Sequence, residues 1–309
     1  MKEKAKQQIK LGISLQLRQM KKHRTHYLMM LPYALLFATF TLAPVVIAIV
    51  FSFTSFNIFE PPSFVGFHNY FKLFLSDDIF MIAVKNTLMF AVIIGPVSYM
   101  MALMLAWMIN DLSRPLRVTF TVLFYAPSLS GGMTVIWNYL FTGDAKGFIN
   151  GQLMKLGLIQ SPINFLQDAK YMAGIMIIIL LWMSLGATFL SFIAGLQGVD
   201  KQYYEAGALD GIKNRWQELW FITLPMMKPQ LLFGAVMNIT SAFGIGDVIT
   251  QTVGFPSVDY AVHTMMNHLS DYGSIRYEMG YACAIATILF AMMILSNKAV
   301  QRMIRKVGE

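Results

Sequence analysis

The sequence predicts an all-α polytopic membrane protein with six transmembrane helices and both termini cytoplasmic. Composition is the first observation behind this prediction. The chain of 309 residues is 56% hydrophobic and only 13% charged, with mean hydropathy +0.56. A soluble domain of that makeup would expose large apolar patches. The second observation is segment length. Apolar stretches at 27–53, 86–110, 118–141, 171–197, 228–250 and 278–297 each reach the roughly 20 residues that cross a ~30 Å hydrocarbon core. The third is the asymmetry of Lys and Arg. With the N-terminus inside, the arm, the 111–117 turn, the 198–228 loop and the tail hold 18 of the 24 basic residues, against seven acids. The outer loops hold six basic residues and eight acids, so the bias places the basic side in the cytoplasm.

Taken in order, the arm at 1–26 carries Ile9, Ile13, Leu17 and Met20 at helical spacing among Lys, Gln and Arg. That pattern fits a short amphipathic helix in the cytoplasmic interface, and fits a disordered basic arm with incidental aliphatics equally well. The first span is not expected to be a cleaved signal, because its apolar run is too long and no small-residue cleavage site follows. Pro32, Pro44, Gly95, Pro96, Gly131, Gly132, Gly244 and Gly246 interrupt the spans. Membrane helices tolerate such breaks where neighbouring helices or a polar cavity satisfy the freed backbone. The outer 54–80 loop is rich in aromatics around Pro61-Pro62, which suits an external partner or an interfacial aromatic belt. The 142–170 loop is short and contains Gly143, Gly147, Gly151 and Gly157. With no loop long enough for a separate fold, 27–297 reads as one membrane domain between the arm and a cytoplasmic tail at 298–309.

The net charge of +8 is thus a topology and anionic-lipid signal, and no aromatic-basic module for nucleic acid is present. Cys283 is the single cysteine, so it forms no intrachain disulfide and reads as a packing residue. His263 and His268 are five apart, off the i, i+4 spacing that sets two metal ligands on one helical face, so no metal site is expected. No G-x-x-x-x-G-K-[ST] loop, nucleophile elbow or helical His-Glu metal motif occurs. Catalysis is therefore not expected of this chain.

The 198–228 loop is polar and amphipathic between two strongly apolar spans. Tyr203 to Asp210 reads as a helix running into Gly211, a helix-ending position. A second helix follows with Trp216, Leu219, Trp220 and Ile222 on an apolar face, and Pro225 closes it before the next span. Two short helices on the membrane face suit docking into a partner's groove, and suit rest on lipid equally.

Glu205-Ala206-Gly207, three residues, Gly211, and then Ile222-x-Leu224-Pro225 resemble the EAA signature of bacterial ABC importer permeases. Leu209-Asp210-Gly211, Trp216-Gln217 and Ile222-Thr223-Leu224-Pro225 are similar to the carbohydrate branch of that family, the maltose-permease-like, binding-protein-dependent group. The likeness extends over nearly the whole chain. Two positions depart from the pattern: Gly207 stands for the second Ala, and the gap from Gly211 to Ile222 is one residue longer than usual.

The resemblance implies the type I importer permease fold in a bacterial cell membrane, and a division of labour. The segment 204–225 would be the coupling element seated in a cytoplasmic ATPase, with Glu205, Ala206, Gly207, Asp210, Gly211, Leu224 and Pro225 as its residues. Glu205 would make a charge-assisted contact with a basic ATPase residue, and Gly211 would permit the turn. Trp216, Leu219 and Trp220 would anchor the second helix on the permease. Implied partners are a second, related permease subunit forming a heterodimer, two ATPase subunits, an external substrate-binding lipoprotein, a carbohydrate and membrane lipid. ATP and Mg would bind the ATPase subunits, and this chain would bind no cofactor.

For the substrate path, span five offers Asn238, Ser241, Phe243, Gly244 and Asp247, a polar, Gly-broken set, joined by Trp137, Asn138 and Tyr139 from span three. Asp247 hydrated near the outer interface, with Trp137 and Tyr139 as belt residues, accounts for the same pattern. A permease for glycerol phosphate or an amino acid, an ion-coupled secondary transporter and a non-transporting scaffold are the alternatives. A secondary transporter would bring repeated halves or paired intramembrane charges, and neither is visible in the sequence.

Overall fold

A computed structural model describes residues 22–129 and 132–305; the arm positions Ile9, Ile13, Leu17 and Met20 and the break at Gly131 lie outside the described residues. Helices α1 (Arg24–Phe51), α3 (Asp78–Asn110) and α14 (Met279–Arg305) are each long and apolar enough to cross a membrane. Three bent pairs supply the remaining candidates. They are α4 (Arg114–Leu129) with α5 (Met133–Leu140), α7 (Ala169–Met183) with α8 (Ala187–Gln197), and α10 (Arg215–Met226) with α11 (Lys228–Phe243). Short helices fill the connections: α2 (His68–Leu75), α6 (Phe148–Lys155), α9 (Lys201–Leu209), α12 (Gly246–Val253) and α13 (Met265–Ser270). No strand longer than the isolated Thr54–Phe64 bridge occurs among the described residues.

Several boundaries move from their expected places for identifiable reasons. α3 begins at Asp78 rather than 86, because the Asp77 side chain accepts a hydrogen bond from the Phe80 amide at 2.9 Å and caps the helix beyond its apolar window. The 118–141 and 171–197 stretches are each two helices, the second bent by 40° at Ser184–Gly186. The 228–250 span ends at Phe243, and Asp247 sits in the first turn of α12 instead. The expected tail at 298–309 continues α14 to Arg305, since Ile304 carries the apolar stripe onto the cluster around Leu219 and Leu224.

Of the three π-helical turns among the described residues, those at Ala38–Leu42 and Leu219–Thr223 lie just ahead of a proline, Pro44 and Pro225 respectively, and the one at Asp271–Ile275 does not. A proline has no N–H to give the carbonyl four residues back, and the ladder shifts to the next register to recover its bonds.

The core forms three clusters along the bundle. One end, called here the hairpin end, packs Leu103, Phe189, Phe192, Leu219 and Met227. The middle packs Phe90, Met172, Met176 and Ile249. The far end packs Phe80, Met265, Tyr281 and Ile285. Gly234 lets α8 and α11 cross closely, for a β-carbon there would press on the Phe192 ring at 2.8 Å. Small residues at helix crossings are the usual device where lipid supplies no hydrophobic drive between helices.

Candidate functional site

The hairpin between α8 and α11 is built from caps at each of its turns. Asp200 accepts from the Gln202 amide at 3.0 Å and starts α9. α9 ends in a Schellman motif: the Ile212 amide donates to the Gly207 carbonyl at 2.9 Å and the Gly211 amide to that of Ala208 at 3.4 Å. Gly211 holds φ +93°, a left-handed conformation that glycine adopts at no steric cost. Asn214 then accepts from the Gln217 amide at 2.9 Å, and the Gln217 side chain accepts from the Lys213 amide at 2.8 Å, starting α10.

Both departures from the signature have a structural counterpart. Gly207 is the buried position of α9, and a β-carbon there would meet Ile222 Cδ1 at 2.6 Å and Ile212 Cδ1 at 3.0 Å. The two isoleucines occupy the space that an alanine methyl would need. The extra residue between Gly211 and Ile222 falls where α10 makes its π turn at Leu219–Thr223, a turn that holds one residue more than an α turn. Thr223 Oγ1 donates to the Glu218 carbonyl at 3.2 Å within that turn.

The hairpin is fastened to α3. Arg215 pairs with Asp111 and its guanidinium lies over the Trp107 ring at 4.8 Å. Trp216 packs on the same ring at 4.9 Å. Tyr204 OH and Thr223 Oγ1 are 2.9 Å apart, joining α9 to α10. Leu219 and Leu224 are buried, while Pro225 is half-buried. α10 meets α11 at 80°, so it lies across the bundle axis and turns Trp220 and Phe221 outward, each 66% exposed. Of the three expected anchors, Leu219 and Trp216 engage the permease and Trp220 does not. Above this base α9 exposes Glu205, Ala206 and Asp210, and Leu209 stands 90% exposed at its tip.

The substrate-path candidates divide into three groups. Asn238, Ser241 and Gly244 line a cavity of about 380 Å³ together with Ser98, Tyr125, Ser128, Ser184 and Thr188. It lies where helix breaks meet: the Ser184–Gly186 bend, the Gly244–Ile245 break and the Pro96 region of α3. Asn238 Nδ2 donates to Ser98 Oγ at 2.9 Å, which orients the amide across the cavity wall. Among the described residues the lining carries hydroxyls and one amide and no Lys, Arg, Asp or Glu. The second group is internal: Phe243 is buried, and Trp137 packs against Phe141 and Trp182. Asn138 Nδ2 donates to the Gln251 carbonyl at 3.1 Å, docking α5 on α12. The third group is exposed outside the cavity: Tyr139, 71% exposed, and Asp247, which shares an exposed strip with Ser241, Gly244, Gln251 and Gly254.

Sequence spacing missed a polar network at the far end. His263 Nε2 and His268 Nδ1 are 3.2 Å apart, His268 Nε2 lies 3.0 Å from Asp77 Oδ2, and the Tyr281 hydroxyl donates to that oxygen at 2.7 Å. Helical periodicity did not apply, because Thr264 caps α13 and His263 precedes the helix. The Thr264-x-x-Asn267 capping box was the available signal. Burial pushes His263 down to about 4, with His268 next to it adding in the same sense. Burial also lowers His268 against the pull of Asp77. Burial works to raise the Asp77 carboxyl, but bonds from Tyr281 and the Phe80 amide and the neighbouring His268 outweigh it and hold it below its usual value. Among the described residues no group of three His, Cys, Asp or Glu could hold a metal.

Comparison with known proteins gives a consistent picture. The family described as "Binding-protein-dependent transport system inner membrane component" matches residues 96–308. The lactose transport system permease protein LacF of Rhizobium radiobacter is 30% identical over 232 residues, covering 74% of this chain and 75% of that protein. The arabinooligosaccharides transport system permease protein AraP of Bacillus subtilis is 29% identical over 274 residues, covering 87% and 85%. Among solved structures, a chain of the bacterial alginate ABC transporter in complex with an alginate pentasaccharide-bound periplasmic protein superposes with TM-score 0.75. It has 22% identity and covers 94% of this chain and 98% of its own, a likeness of fold.

Proposed function

This chain belongs to the binding-protein-dependent transport system inner membrane components, and from that membership we infer that it is the permease subunit of an ATP-driven importer for a carbohydrate, an oligosaccharide in particular. The relatives named for lactose and arabinooligosaccharide transport support the substrate class. The uncharged, hydroxyl-lined cavity favours a neutral polyhydroxyl solute, because glycerol phosphate would call for a cation that the lining lacks. The sugar arrives from an external binding protein, and Asn238, Ser98 and Ser241 offer it hydrogen bonds at the helix breaks.

The observation that carries the reading is an exposed α9 on a rigid base. An ATPase cleft closing around Leu209 and Glu205 would move α3 and α11 with it, since the hairpin is joined to both. Glu205 meets a basic residue of the ATPase, and ATP and Mg bind there, the chain having no phosphate loop of its own. The hairpin end, with the larger share of Lys and Arg, faces the cytoplasm, and both termini lie on that side. A second, related permease covers the exposed strip of Ser241, Asp247 and Gln251, which would otherwise set a carboxylate against lipid.

The test is ATP-driven uptake in vesicles holding the whole system, scored with an oligosaccharide panel. Glu205→Ala and Gly211→Pro should lose uptake while the chain still inserts and assembles with its sister permease. Normal uptake in both variants would overturn the reading.

A further inference from the structure

Two cavities at the hairpin end meet at Arg117 and Gln197, which line both. The larger, about 640 Å³, lies under the hairpin and includes Lys201, Asn110, Glu218 and the Arg215–Asp111 pair, so with Arg117 its cations outnumber its carboxylates by one. The smaller, about 480 Å³, runs along the spans between α4 and α8, with Val118, Val122 and Ile193 as its apolar wall and Arg114 at its mouth. Arg117 and Lys201 have no acidic partner within ion-pair distance among the described residues. Asn110 Oδ1 is buried in the larger cavity without a hydrogen-bond partner there.

We propose that this groove binds one anionic phospholipid of the leaflet at the hairpin end, its phosphate between Arg117 and Lys201 and an acyl chain against Val118, Val122 and Ile193. Free cations above an apolar channel match a molecule with a charged head and a hydrocarbon tail, and basic pockets between spanning helices are suited to such headgroups. A free phosphate would use the cations and leave the wall bare. The site touches Tyr204 and Thr223, so the bound lipid braces the base of the hairpin. The inference rests on the proposed function only in placing this end in the cytoplasmic leaflet.

The experiment is native mass spectrometry of the purified full-length chain, with the subunits that co-purify, against phosphatidylglycerol, phosphatidylcholine and inorganic phosphate. Phosphatidylglycerol should be retained over phosphatidylcholine and resist displacement by inorganic phosphate. Each basic residue near a headgroup contributes about 1 kcal/mol, so Arg117→Gln with Lys201→Gln should lower occupancy by about tenfold or more. Val118→Trp, which fills the wall and leaves the cations in place, should lower it independently. Equal retention of phosphatidylcholine, unchanged occupancy in both variants, or displacement by inorganic phosphate would overturn the proposal. Retained phosphatidylglycerol alongside failed ATP-driven uptake would sink the transport reading and leave this one standing.

Discussion

Gly280 opens α14 where the chain runs against the 52–57 segment: its amide donates to the Phe56 carbonyl at 2.7 Å, and a β-carbon would press into the Thr54 carbonyl oxygen. Backbone cannot yield as a side-chain end does, so Gly280→Ala should cost about 1–3 kcal/mol, the range for forced overpacking. A fall in the thermal midpoint of the purified chain checks this. Gly207 is the contrast, because the atoms a methyl would meet are the mobile ends of Ile212 and Ile222. Gly207→Ala also gains helix propensity of about 1 kcal/mol, and its midpoint should stay within a degree or two of the parent. His263 makes stability depend on pH. Its folded value of about 4 lies below the ordinary 6.5, so the unfolded chain takes up the proton first. The stabilisation is complete above 6.5 and is lost as pH falls from there toward 4. The neighbours that face it, His268, Asp271 and Asp77, do not reverse the sign, since burial dominates. Thermal melts across that window should show the midpoint falling with pH in the parent, and a flatter profile in His263→Gln.

The α9–α10 hairpin shows which elements a sequence discloses. Its two helices and the Gly211 turn were legible, because caps act within a few residues, whereas Pro225, expected to close the second helix, lies inside α10, which ends at Met226. The π turn at Leu219–Thr223 was not legible as a turn, only as a gap one residue too long. The outward rotation of Trp220 follows from the 80° bend at Met227, which no local pattern encodes. The same limit explains the substrate-path set. Asn238, Ser241 and Gly244 were recognisable as polar breaks in an apolar span, whereas Ser98, Ser128 and Ser184 come from other spans and join them only through tertiary packing. The base of the hairpin gives a graded prediction. Arg215 and Asp111 are each about half exposed, with side-chain exposures of 50% and 53%, so their ion pair contributes little in water. Trp107 holds both the Arg215 guanidinium and the Trp216 ring. Trp107→Ala should therefore lower sugar moved per ATP hydrolysed severalfold, and Asp111→Asn far less, as measured by paired uptake and phosphate-release assays. Equal loss in the two variants would place the rigidity of the base in the ion pair instead.

Across the whole molecule, charge and packing point the same way. The hairpin end gathers α9, the ends of α3 and α14 and most of the basic residues among those described, and the far end gathers α2, the buried Asp77–His268–His263 chain and the starts of α3 and α14. The hydroxyl-lined cavity lies between the two ends. Fold class and at least three spans, up to six with the bent pairs, were legible because hydropathy is a sum over many residues, as is the Lys/Arg bias, and neither depends on any one contact. The orientation inferred from that bias can be tested directly. Cys283 is the single cysteine, so Cys283→Ser gives a background for placing one thiol at a time. Leu209 at the tip of α9 is 90% exposed and Phe59 in the 54–80 loop is 82% exposed, so a thiol at either position is open to reagent. In intact cells a membrane-impermeant maleimide should label Phe59→Cys and spare Leu209→Cys, and in inverted vesicles the pattern should reverse. Labelling of Leu209→Cys from outside intact cells would turn the molecule over. An ATPase could then no longer reach α9, and the transport reading would fail with the topology.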